Sequence, residues 1–122
     1  MTTTRQRRPH AALRAAGAAL LAVALVACGA PDPTATPPVT ATGDTSVGLQ
    51  DNAFTPVNLV LPAGATVTWD WQDGDTEHNV VGDDFSSDVQ TAGTFTHTFT
   101  EPGIHKYRCT LHGQMTAQVE VR

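Results

Sequence analysis

The 122-residue chain has no hydrophobic run long enough to span a bilayer comfortably. Its apolar stretch, Ala15 to Ala27, holds 13 residues, against the roughly 20 that a transmembrane helix needs. No segment keeps a helical period, which argues against a helical fold. Cysteine is scarce: there are only Cys28 and Cys109. A disulfide between them is a poor reading, because Cys28 lies at the far end of a proline- and threonine-rich tether. Basic residues are scarce beyond the N-terminus. Arg5, Arg7, Arg8 and Arg14 precede the apolar stretch, and from residue 28 onward only Lys106, Arg108 and Arg122 face all twelve acidic residues, a net charge of −9. That balance argues against nucleic acid and against charge-driven binding to anionic lipid. It suits a partner with a basic docking face. A chain of this length has room for one domain.

A positive start followed by a 13-residue apolar run reads as an export signal over residues 1–27. The Arg7-Arg8 pair raises a twin-arginine route without deciding between it and the general one. The run ends Leu25-Val26-Ala27-Cys28, which resembles a bacterial lipobox and implies lipidation of Cys28; the plainer alternative is cleavage near Ala27 or Ala30. Residues 28–44 read as a lipid-anchored linker, Pro/Thr-rich and without apolar period. The expected product is an exported protein on the outer face of a bacterial membrane, in the periplasmic or extracellular space and held by a lipid anchor only. Cys109 is then a lone thiol in an oxidising compartment, and metal ligation would explain it.

From Thr45 the pattern turns to short strands with turn signals between them. Ser46–Gln50 reads as a strand, and Val57, Leu59 and Leu61 alternate before the turn Pro62-Ala63-Gly64. Val67, Trp69 and Trp71 share one face. His78–Val81 reads as a short strand and 82–93 as irregular. Phe95, His97 and Phe99 share a face, Ile104–Cys109 follows, and Ala117, Val119 and Val121 alternate in the last strand. This spacing implies an all-β sandwich or barrel over residues 45–122. Such a small domain has a thin core, to which a bound metal would add stability.

The chemistry concentrates in Tyr107-Arg108-Cys109-Thr110-Leu111-His112-Gly113-Gln114-Met115. A thiolate, an imidazole and a thioether fall within seven residues, and Cys-x-x-His-x-x-Met can fold all three around one centre. His78 is the best candidate for a fourth ligand. Two imidazoles and a thiolate with a weak axial thioether form the blue-copper set. Zinc is the rival, but structural zinc prefers more thiolates and has no use for methionine. His97 and His105 lie at no ligand spacing and read as packing residues, as do Trp69 and Trp71.

The domain resembles the cupredoxins, and within them the small amicyanin and plastocyanin branch. The resemblance rests on Phe54-x-Pro56 with Leu59, on Ala63-Gly64-Ala65-Thr66-Val67-Thr68-Trp69 and on His78-Asn79-Val80. It closes with Gly93-Thr94-Phe95, Phe99, Pro102-Gly103 and Tyr107-x-Cys109-x-x-His112-x-x-Met115, with the short amicyanin-like ligand loop. It implies a Greek-key β-sandwich or barrel in which His78, Cys109, His112 and Met115 ligate one copper ion. It further implies that the backbone of Asn79 donates to the cysteine sulfur while its side chain ties two ligand loops together. Leu111 stands where a proline is usual and restores a backbone N–H, a second potential donor to the thiolate. Gly113, Ala117 and Glu77 also depart from the family's common residues.

The expected function is transfer of single electrons to and from redox partner proteins by a monomer, entering and leaving near His112. No catalytic activity is expected, since four ligands leave no open position for substrate. The alternatives are copper handling or storage, and service as an accessory subunit of a copper-dependent redox enzyme.

Overall fold

The computed structural model describes Gly29 and residues 32–122. The expected signal segment 1–27 and the lipidation candidate Cys28 lie outside the described residues. Two four-stranded sheets face each other. In chain order the strands are β1 (Val39–Thr40), β2 (Thr45–Gln50), β3 (Ala53–Thr55), β4 (Asn58–Leu61), β5 (Ala65–Trp71), β6 (Thr94–Phe99), β7 (Gly103–Arg108) and β8 (Thr116–Val121). One sheet runs β1-β4-β8-β7 and the other β3-β2-β5-β6. The pairs β2/β5 and β4/β8 are parallel, so the chain crosses between sheets as the expected Greek-key sandwich requires. The helical structure among the described residues is one 3₁₀ turn, Pro33–Ala35.

Period-two sequence becomes period-two burial where a strand has one wet face. In β5, Ala65, Val67, Trp69 and Trp71 are buried and the residues between them are not. Trp69 is fully buried at the centre, with the rings of Phe85, Phe95 and Tyr107 all within 5.6 Å of it, centroid to centroid. The β2–β3 hairpin turns on Asp51 and Asn52, both left-handed at φ 54° and 55°. A two-residue turn of this type needs positive φ twice, and Asp and Asn tolerate it better than most residues.

Three elements differ from the sequence expectation. His78–Val81 is not a strand: it makes isolated bridges, His78 with Gln90 and Val81 with both Ser86 and Arg108. Each residue finds a different neighbour, so no ladder forms. The short β3 lies where no strand was expected. Residues 33–44, read as the later part of a tether, lie against the sandwich. Val39–Thr40 pair in parallel with Leu59–Val60, Ala41 N–H donates to Val60 O (2.8 Å), and Asn58 Nδ2 donates to Thr36 O (2.9 Å). The physical reason is that β4 would otherwise expose a backbone edge and the buried Asn58 amide would lack a partner.

Candidate metal centre

The end of β7 and the start of β8 hold the site between them. Cys109 follows the last residue of β7, and Met115 precedes the first of β8. Cys109 N–H donates to Met115 O (3.0 Å) and Met115 N–H to His112 O (2.9 Å). These bonds close the seven residues between the strands into a tight loop. Its thiol and thioether residues are buried, 2% and 1% exposed, while His112 is half-buried.

His78 arrives from the other sheet's side, in the connection between β5 and β6. It is fully buried. Its backbone exchanges hydrogen bonds with Gln90 in both directions (3.0 Å each), and its carbonyl accepts from Trp71 Nε1 (3.1 Å). The two segments are stitched together beside it: Val81 and Arg108 exchange backbone bonds. Asn79 clamps Thr110, with Thr110 N–H donating to Asn79 Oδ1 (2.8 Å) and Asn79 Nδ2 to Thr110 Oγ1 (2.8 Å). The side chain of Asn79 thus ties the two ligand segments together.

The result is convergence. Cys109 Sγ lies 3.9 Å from His78 Nδ1 and 3.6 Å from His112 Nδ1. The three ligand atoms all lie within 4.8 Å of one another. Metal–sulfur and metal–imidazole bonds of about 2.3 and 2.0 Å, opened to a trigonal or tetrahedral angle, separate their donors by roughly 3.5–3.7 Å. The two cysteine–histidine pairs therefore already stand near the spacing a shared ion would impose. Thiolate, two imidazoles and a buried thioether residue in the same loop suit copper better than a hard cation. An open cleft of about 580 Å³, lined by Asp32, Pro33, Val81, Gly82, Lys106 and Arg108 among others, includes none of these four residues.

No protein-family model matches the chain. It is 39% identical over 75 residues to a halocyanin of Natronomonas pharaonis, a match covering 56% of this chain and 46% of that protein; the chain thus spans less than half the length of this relative. Among solved structures, the fold superposes on the amicyanin of Paracoccus versutus with a TM-score of 0.57 and 26% identity, over 65% of this chain and 81% of that one. It also matches a purple cupredoxin from Nitrosopumilus maritimus along that protein's whole length, at 30% identity, TM-score 0.59 and 65% of this chain. The chain is a cupredoxin.

The cupredoxin's other two described histidines, His97 and His105, pack as expected. His97 stacks on Phe85 with ring centroids 4.5 Å apart, and His105 Nε2 bonds to Glu101 O (2.8 Å). One residue at the centre is missing from the sequence reading. Asp73 Oδ2 lies 2.8 Å from His78 Nε2, the ring nitrogen turned away from Cys109. The hydrogen bond to His78, and then the amide of Asn52, hold its carboxyl below the usual carboxylate range. Asp73 sits in a polar loop that reads only as a turn. The sole signal was a carboxylate five positions before a candidate ligand.

Proposed function

We propose that this cupredoxin binds one copper ion at a type 1 site through His78, Cys109, His112 and Met115, and that it carries single electrons between partner proteins. When bound, copper supplies a one-electron couple, Cu(II)/Cu(I). The observation that carries the reading is the convergence of His78 Nδ1 with Cys109 Sγ and His112 Nδ1 from two separate segments. The chain's own residues do the rest. The stitched loops resist rearrangement, so the geometry changes little when charge changes. Burial of His78, Cys109 and Met115 excludes water from three of the four ligands.

Half-buried His112 is the exit and entry for electrons, and Leu111, 41% exposed beside it, supplies apolar contact for a partner. The amides of Asn79 and Leu111 serve as donors to the thiolate and tune it. The surplus of acidic residues favours a partner with a basic docking face. We further propose that residues 1–27 are an export signal, that Cys28 is lipidated, that 45–122 forms the copper domain, and that the protein acts as a monomer outside the cytoplasmic membrane. It transfers electrons rather than turning over substrate.

A visible spectrum of the copper-loaded protein tests the reading. The expected result is an intense thiolate-to-copper charge-transfer band that bleaches reversibly on one-electron reduction. Cys109→Ser should abolish the band while leaving the fold intact. Copper uptake without such a band, or with slow and irreversible reduction, would instead identify a copper-handling protein.

A further inference from the structure

The two imidazoles of the site are held differently. His112 is half-buried at the surface. His78 is fully buried, and its distal nitrogen meets a carboxylate. Asp73 Oδ2 is 2.8 Å from His78 Nε2, and the same oxygen accepts from Asn52 N–H at 3.2 Å. Asn52 follows Asp51 in the left-handed hairpin turn, and successive amides in such turns form a concave anion-binding surface. The Asp73 side chain is only 17% exposed. A chain of contacts thus runs from the β2–β3 turn, through one carboxylate oxygen, to the imidazole whose other nitrogen faces Cys109 Sγ.

We infer that Asp73 is a positioning residue that fixes the tautomer of His78 and biases the centre toward the oxidised metal. This rests on the proposed ligation by His78. A carboxylate oxygen only accepts, so the bonded Nε2 must carry the proton. In the neutral ring the proton is then absent from Nδ1, and a lone pair points at the metal position before any ion arrives. The negative charge one imidazole away from the ion favours the higher oxidation state, because opposite charges attract more strongly where water is excluded. Asp73 therefore has two separable effects, acceptance and charge.

Two substitutions separate them. Asp73→Asn keeps an acceptor oxygen and removes the charge. Asp73→Ala removes both. Imidazole ¹⁵N spectra of the metal-free protein, recorded where histidines are neutral, should show His78 as one Nε2–H tautomer in the wild type and in Asp73→Asn, and as a mixture in Asp73→Ala. Copper affinity should fall about 10–100-fold in Asp73→Ala and less in Asp73→Asn. The reduction potential should rise in Asp73→Asn, a readout that a merely structural role would not move. A single unchanged tautomer with unchanged affinity in Asp73→Ala would overturn the inference. If Asp73→Ala fails to fold, Asp73→Asn decides, and an unchanged or lowered potential defeats the charge effect. A wild-type protein that takes up no copper would defeat the electron-carrier reading while leaving the metal-free tautomer measurement to judge Asp73.

Discussion

At the scale of the residue, two side chains make opposite demands. Leu111 is exposed and keeps an amide that proline lacks. An N–H directed at the thiolate withdraws charge from it and favours Cu(I), so Leu111→Pro should lower the reduction potential in voltammetry; a potential that holds or rises would remove the amide from the account. Tyr107 is buried two positions before Cys109, and burial pushes its phenol far above the usual value near 10. Its hydroxyl and the Trp69 indole N–H both lack a partner of hydrogen-bond geometry. In the unfolded chain the phenol ionises near pH 10; in the folded chain it stays protonated. The unfolded state thus binds fewer protons above pH 10, and the stability from this group declines as pH rises beyond it. Urea midpoints across that range should fall more steeply for the wild type than for Tyr107→Phe.

At the scale of the element, the N-terminal arm and the ligand segments obey the same rule, that backbone edges and buried amides seek partners. Asn58 is 6% exposed and spends its amide on Thr36 O, while Gln118 Nε2 donates to Asn58 Oδ1 (3.3 Å). Asn58→Ala removes the clasp and orphans the Gln118 donor, which should cost about 1–3 kcal/mol. Hydrogen exchange at the Ala41 amide, bonded to Val60 O, should quicken; unchanged protection there would show that β1 holds without the clasp. β1 was illegible in the sequence because two residues cannot show alternation. The segment His78–Val81 misled for the reverse reason. Its apolar residues suggest a strand, but the bridges it makes are isolated and divided between two segments, Ser86 and Gln90 on one and Arg108 on the other.

At the scale of the whole molecule, the fold is a thin sandwich closed at one end by the candidate ligands. An ion that binds only the folded state adds stability by mass action. Free copper at a hundred times its dissociation constant should add about 2.7 kcal/mol, raising the melting temperature of a domain this small by roughly 10–20 °C. Calorimetry with and without copper, and again after chelation, checks this; no shift would mean that the converging donors do not hold the ion in the folded state.

The sequence alone determined what is local. The thiolate, imidazole and thioether of residues 109–115 lie within one loop, so chain connectivity already limits how far apart they stand. The alternation in β5 announced its buried face because side-chain period and strand period coincide. The tertiary structure decided what depends on two segments meeting. It brought His78 to Cys109, and Asn79 to Thr110. It laid residues 33–44 on the edge of β4, and set Asp73 between a hairpin turn and a buried imidazole. Those contacts arise from register and turn geometry across the sandwich, and no spacing along the chain encodes them.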